Sequence, residues 1–277
     1  MPILALLLLC AIRGAAGLSP PEQDGGLKPA APPLPRTTIE TRLARATRGN
    51  EARHHELVTL FRGAGCDVTE QPLPHSKQPN VLCTIRGESN RRILVTAHYD
   101  MIGPGLGVGD NWGSASLLPS LYEALRAAKP KHTIVFIGFS EEEAGLVGAK
   151  HYLRNTRLND IAAMINMDGA GMASTRVWGT KSDRTLVRRL RELAKELGVD
   201  VSESSLDGAG IMDSFPFHER HVPVLSLHGL APGNYGIPHT RQDDRDAVDA
   251  RHLYDTYRLV LRMIEDLALT PPAAQTP

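Results

Sequence analysis

From Arg92 onward, short apolar runs alternate with stretches in which apolar positions recur every three to four residues. RRILVTAHY, HTIVFIGFS, AAMINMD and VPVLSLHG are the apolar runs. Their length and content are those of strands buried on both faces. Between and after them, SASLLPSLYEALRAA, GLVGAKHYLRN, DRTLVRRLRELAKELG and DAVDARHLYDTYRLVLRMIEDLAL read as helices. Gly198 stands where the third of these should stop. Pro119 is expected to interrupt the first. Upstream, Thr37 to Gly65 has a helical pattern, with Leu57, Leu60 and Phe61 on one face and Gly63 and Gly65 as stops. CDVTEQPL and NVLCTIRG then read as two strands joined by a polar, Pro-containing turn. Strand–helix alternation with apolar strands predicts an α/β fold with a mostly parallel sheet covered by helices. In such sheets ligands bind at the carboxyl ends of the strands.

The two ends of the chain depart from this pattern. Ile3 to Ile12 is apolar and is followed by the small residues Gly14, Ala15, Ala16 and Gly17. The run is too short to span a bilayer and has the length of a signal-peptide core, which predicts a signal peptide over residues 1–17. The protein is then secreted or periplasmic, with no stable membrane insertion. Against this, no Lys or Arg precedes the run and Arg13 follows it, and the bland alternative is an intracellular protein with an apolar N-terminus. Residues 18–36 are rich in Pro and Gly and read as a flexible segment. Residues 37–270 show no internal repeat and no change of composition, which predicts one domain, and 271–277 read as a disordered tail.

Composition changes this picture little. The chain has 277 residues, 42% hydrophobic and 22% charged, as an ordinary globular protein has. Its 31 Lys+Arg balance 31 Asp+Glu. No basic block tracks a phosphate backbone, so nucleic acid is not an expected partner. Cys66 and Cys83 are the only cysteines beyond the apolar N-terminus. In an oxidising compartment they could pair; otherwise they are two buried thiols.

The chemistry collects at the strand ends. His98 and Asp100 end one apolar run in VTAHYD, and Asp168 ends another in INMDGAG. Asp110 lies in a loop crowded with Gly103, Gly105, Gly107, Gly109 and Gly113, whose backbone can approach a site closely. Glu141, Glu142 and Glu143 follow HTIVFIGFS, and His239 precedes the closing helix. Each has a plain alternative: a satisfied strand-end His, an N-cap or turn Asp, a solvated helix start. Three adjacent carboxylates after an apolar strand are the hardest to explain as scaffold, since they repel one another without cations. His-x-Asp lets a carboxylate accept one ring N–H and leaves the other nitrogen for a metal. Asp243 or Asp244 reads as a cap for the closing helix.

HYD, DN in the glycine-rich loop, EEAGLVGA, NMD and PHTRQD together resemble the zinc peptidases related to bacterial secreted leucyl aminopeptidases, the M28 family. The match covers about Arg92 to Asp244 by motif. The resemblance implies the zinc-dependent exopeptidase type of fold, a mixed, mostly parallel central sheet covered by helices on both faces. The 37–270 domain is then catalytic. It further implies two zinc ions, with His98 and Asp168 on one, Glu143 and His239 on the other, and Asp110 bridging both. Glu142 is implied as general base and Asp100 as the residue that orients His98. Ala144-Gly145-Leu146 after Glu143 settles which two of the three glutamates are meant and leaves Glu141 as an extra acid.

The expected activity is hydrolysis of N-terminal residues from peptides by a metal-activated water. Tyr235, Asp213 and Trp112 are candidate substrate contacts: Tyr235 as a hydrogen-bond donor, Asp213 with Glu141 as a possible dock for the free amine, Trp112 as a bulky wall beside the bridge. The pocket wall is expected from loops such as Ser202–Met212 and Ala231–Ile237. A carboxypeptidase would want an Arg for the terminal carboxylate, and Arg241 or Arg154 is available. Glutaminyl cyclases share the fold, but they usually follow the bridging Asp with Ser and carry Trp before the final His, where this chain has Asn111 and Pro238. A non-catalytic binding ectodomain would be expected to have lost ligands or the base.

Overall fold

The computed structural model of the chain describes residues 32–208 and 210–269. The expected signal peptide, most of the flexible segment and the tail lie outside the described residues. Among those described, no helix is long and apolar enough to cross a membrane.

Eight strands form one sheet in the order β1-β2-β4-β3-β5-β8-β6-β7. They are β1 (Thr69–Gln71), β2 (Asn80–Ile85), β3 (Ser89–His98), β4 (His132–Phe139), β5 (Ile161–Asp168), β6 (Arg176–Trp178), β7 (Ser202–Ser204) and β8 (Val224–His228). The four central strands, β4, β3, β5 and β8, are mutually parallel. β1 and β2 add an antiparallel edge on one side, and β6 runs antiparallel to β8 on the other. The sheet is thus mixed and mostly parallel, as expected. β6 and β7 carry no apolar run long enough to be read from the sequence.

The period of two along each central strand sends side chains to two helical layers. Ile134 and Phe136 of β4 join Ile93, Val95, Ile165 and Leu225 in the larger core, under α1 (Arg36–Leu43), α2 (Asn50–Gly63), α3 (Gly113–Leu125), α5 (Arg184–Leu197) and α7 (Ala250–Leu269). Val135, Ile137 and Phe139 point the other way, with Leu94 and Met164, against α4 (Val147–Arg154) and α6 (Phe215–His218). α5 begins where Asp183 accepts the N–H groups of Thr185 and Leu186, and it stops at Gly198 (φ 64°).

Two helix expectations are corrected. Thr37–Gly65 is not one helix: α1 and α2 are separate, and Gly49 (φ 92°) turns the chain into α2. Pro119 does not interrupt α3, which runs through it. Nearly every residue of α3 is buried, so tertiary packing holds the helix despite the lost main-chain bond.

The cysteine alternatives resolve to a disulfide, Cys66–Cys83, with the Cα atoms 6.2 Å apart. It ties the end of the α2 region to β2, across 17 residues of sequence. Loop-closure entropy for that span predicts a contribution of about 3 kcal/mol. Reduction, or the Cys66→Ser/Cys83→Ser pair, is expected to lower the free energy of unfolding in denaturant titration by about that amount and leave far-UV circular dichroism native in water.

Candidate metal centre

The central strands reverse their order of addition around β3: β4 lies on one side of it and β5 on the other. A crevice opens at such a point, beyond the carboxyl ends of the strands. His98 closes β3, Glu142 and Glu143 follow β4, and Asp168 closes β5. Asp110 enters on the turn between β3 and α3, and His239 on the loop before α7. Residues far apart in sequence thus meet at one place.

Asp110 lies between the two imidazoles. Its Oδ1 is 3.2 Å from His98 Nε2 and its Oδ2 is 3.0 Å from His239 Nε2. Asp168 Oδ1 is 3.7 Å from the same His98 nitrogen, and Glu143 Oε2 is 2.9 Å from that of His239. His98, Asp110 and Asp168 form one group of potential ligands, and Asp110, Glu143 and His239 a second; Glu142 sits beside His98 and Glu143 in a third. The expected ligands are therefore brought together, with Asp110 common to two groups.

The charges around this cluster explain its titration. Glu142 is pushed up to about 9 by burial; His98 opposes the rise, and Asp213, Asp168 and Glu143 add to it. Burial also lifts Glu143, to about 7, with Asp110 adding. His239 is held up to about 9, chiefly by its hydrogen bond with Asp110. Against its own burial, Asp110 is kept well below the usual carboxylate range by hydrogen bonds from His239 and His98. Carboxylates outnumber imidazoles, the cavity they face has no Lys or Arg in its lining, and buried Glu143 Oε1 has no hydrogen-bond partner. Mixed imidazole and carboxylate donors in excess negative charge suit a divalent cation of the zinc type.

Asp100 does two jobs. His98 Nδ1 is 3.5 Å from its Oδ1 and 3.3 Å from its carbonyl oxygen, which points Nε2 at the cluster. The same carboxylate accepts the N–H groups of Glu142 (3.1 Å) and Glu143 (3.2 Å), so it positions the glutamates as well. Asn111 is fully buried. It donates to Met167 O and accepts from Gly169 N–H, pinning the Asp110 turn to the end of β5. This role was not legible in the sequence.

A cavity of about 390 Å³ opens onto the cluster. Leu206, Met212 and Tyr235 line it, from the two loops expected, together with Met172, His228 and Leu230, which were not expected. Three assignments are corrected. Trp112 is fully buried in the main core, its indole N–H donating to Arg42 O, and it does not line the cavity. Asp213 is 1% exposed, is absent from the lining, and has both carboxylate oxygens without a hydrogen-bond partner. Glu141 accepts from Ser76 Oγ at 2.5 Å and is likewise absent from the lining. Neither Asp243 nor Asp244 caps the closing helix: Asp244 accepts from Arg245 N–H ahead of a short 3-10 turn, and Asp249 accepts from Arg251 N–H where α7 begins.

His228 closes β8 beside Asp168. Its Nδ1 accepts the Leu230 N–H (3.1 Å), so the neutral ring carries its proton on Nε2, 3.0 Å from Ser204 Oγ. Burial, aided by Arg176, pushes it down to about 4. From about pH 6.5 down to about 4, the unfolded chain binds a proton that the folded one refuses. The stability this group supplies is complete above about 6.5 and is lost as pH falls through 4, by up to about 3 kcal/mol. Thermal melts from pH 7 to 4 are expected to fall less steeply for His228→Asn than for the wild type.

Comparison with known proteins bears on the family and the fold. A vacuolar membrane protease of Clavispora lusitaniae is 33% identical over 198 residues, 68% of this chain and 19% of that protein. Aminopeptidase YwaD of Bacillus subtilis is 30% identical over 185 residues, 61% of this chain and 39% of that protein. The chain thus spans less than two-fifths of the length of either relative. The fold matches the LapA aminopeptidase of Legionella pneumophila with a TM-score of 0.75 at 20% identity, over 85% of this chain and 71% of that one. The model of peptidase family M28 matches residues 80–264, a span that contains every member of the cluster from His98 to His239, and the chain belongs to that family.

Proposed function

We propose that the chain is a zinc-dependent exopeptidase that removes N-terminal residues from peptides, with two zinc ions at the cluster. The observation that carries this reading is Asp110 reaching both His98 and His239, at 3.2 and 3.0 Å, with Asp168 and Glu143 on either side. His98 and Asp168 would hold one ion, Glu143 and His239 the other, and Asp110 both. Bound zinc would supply Lewis-acid polarisation of the peptide carbonyl and acidification of water. Glu142, on the cavity wall and not paired to either imidazole at short range, is the group placed to accept a proton from water and return it to the leaving amine. Asp100 keeps His98 turned and the Glu142 main chain fixed while this happens.

The cavity supports an aminopeptidase over a carboxypeptidase. Asp110, Glu142, Glu143 and Asp168 face it, and neither Arg154 nor Arg241 lines it. The acidic lining favours a free amine by charge, whereas a terminal carboxylate finds no guanidinium. Met172, Leu206, Met212 and Leu230 give an apolar wall for the first side chain, and Tyr235, 43% exposed, stands at the rim where a hydrogen bond to substrate could form. Secretion remains part of the proposal through the apolar N-terminus alone.

The test is mass spectrometry of free, N-acetylated and Gln-starting peptides after incubation with zinc-loaded protein. Stepwise loss of N-terminal residues from free but not acetylated peptides is the expected result. Loss of ammonia from Gln-starting peptides alone would make the chain a cyclase. Bound zinc with every peptide unchanged would sink the peptidase reading in favour of a binding protein.

A further inference from the structure

Arg53 of α2 is a fully buried cation whose partners are main-chain carbonyls. Its Nε donates to Thr47 O (3.1 Å), its Nη1 to Tyr99 O (3.0 Å) and Asp100 O (3.3 Å), and its Nη2 to Leu106 O and Gly107 O (2.5 Å each). The guanidinium carbon lies 5.9 Å from the centre of the Trp112 ring. Asp243 holds the N–H groups of the same loop and is 1% exposed. Its carboxylate accepts the N–H groups of Gly109 (2.6 Å) and Asp110 (3.1 Å). Its carbonyl accepts those of Leu106 (2.8 Å) and Gly107 (2.9 Å). Leu106 and Gly107 therefore have both main-chain polar groups held, one by each residue. The approach is close: a Cβ on Gly105 would lie 2.7 Å from Asp243 O, and one on Gly107 would lie 2.8 Å from Arg53 Nη2.

Burying an Arg and an Asp is costly, and loop carbonyls and N–H groups can be satisfied by water or neutral amides at lower cost. What these two charges secure is the position of one short turn. That turn carries Asp110, whose two oxygens must reach imidazoles on separate segments. A five-donor fork fits several carbonyls at once, and a carboxylate fits two adjacent N–H groups; neither task suits a single neutral side chain.

We propose that Arg53 and Asp243 form a two-sided clamp on Leu106–Asp110 that sets Asp110 between His98 and His239. They are positioning residues: neither lines the cavity. The proposal rests on the reading of Asp110 as a ligand shared by two metal ions.

Two variants test it, Asp243→Asn and Arg53→Met. Asparagine keeps the size of the side chain but turns an amide donor towards one of the two N–H groups. Two readouts are taken: zinc affinity by calorimetric titration of metal-free protein, and amide hydrogen exchange of the metal-free protein. Both variants are expected to bind zinc about tenfold or more weakly. Exchange at Gly109 and Asp110 is expected to rise about tenfold, while amides of α5 keep wild-type protection. A merely structural role would loosen α5 with the rest as global stability fell. Wild-type zinc affinity, or wild-type exchange at the turn, in Asp243→Asn overturns the proposal. If Arg53→Met does not fold, Asp243→Asn decides alone. A wild-type chain that takes up no zinc strikes down the metal-centre reading itself, whereas undiminished zinc binding in both variants strikes down only the clamp.

Discussion

Replacing Glu142 with Gln is expected to lower kcat by about 10³-fold or more while zinc content and fold stay as in the wild type. General acid–base catalysis by a positioned side chain contributes about 10²–10⁴-fold, and here one group would serve both proton transfers. The amide has the carboxyl's shape but cannot accept a proton from water. The residue's surroundings say the change is tolerated by the fold. Burial, against His98 and with Asp213, Asp168 and Glu143, holds the Glu142 carboxyl up at about 9 in the metal-free protein. Between about pH 4.5 and 9 the folded chain keeps a proton that the unfolded chain has lost, so this group's contribution falls as pH rises through that window. A neutral amide removes that loss. Metal-free Glu142→Gln is therefore expected to melt at or above the wild-type temperature at pH 8. Wild-type turnover in this variant would remove Glu142 from the mechanism; lost turnover together with lost zinc would make it a ligand rather than a base.

Asp110→Asn is expected to have the larger effect on the metal. Both carboxylate oxygens are committed, one to each imidazole, and the amide nitrogen of Asn is a donor that a cation repels. Zinc per chain, measured by elemental analysis after dialysis, is expected to fall from two to below one. Turnover is expected to fall by at least about 10³-fold, since positioning and charge stabilisation are lost together. The thermal shift on adding zinc should shrink as well: a ligand at 100 times its Kd stabilises by about 2.7 kcal/mol, and one near its Kd by a few tenths. Asp168→Asn offers the contrast, because Asp168 belongs to only one of the two Asp110-containing groups. Loss of one zinc there and two in Asp110→Asn would support shared ligation. Equal zinc loss in both variants would argue against it.

Much of this molecule was legible because its informative features are local. The runs ending at His98, Phe139 and Asp168 are apolar on both faces, which only strands covered by helices require, and they place their last residues at one edge of the sheet. The acids after β4 stood out as unpaired charge following a buried segment. The substrate contacts were less legible. Trp112 follows Asp110 closely in sequence, yet α3 begins at the next residue and its helical geometry carries the indole into the core. Asp213 has the right residue type, but the fold buries it and leaves its neighbour Met212 to line the cavity. Of the other cavity residues, Met172 and Leu230 follow β5 and β8 with no pattern of their own, and His228 closes β8.

The sequence by itself determined the strand–helix alternation, the residues able to bind a metal, and the order in which they occur, because hydrophobic periodicity and side-chain chemistry are properties of short segments. Tertiary structure alone decided which groups share a partner. Asp110 meets His98 and His239 across 12 and 129 residues of chain, and Asp243 reaches back more than 130 residues to hold the turn. Arg53 closes the same turn from α2. Those contacts depend on where β3, β4 and β5 lie in the sheet and on how closely the glycine loop packs against residues 239–243. Main-chain hydrogen bonds made at that distance in sequence leave no periodic mark in it.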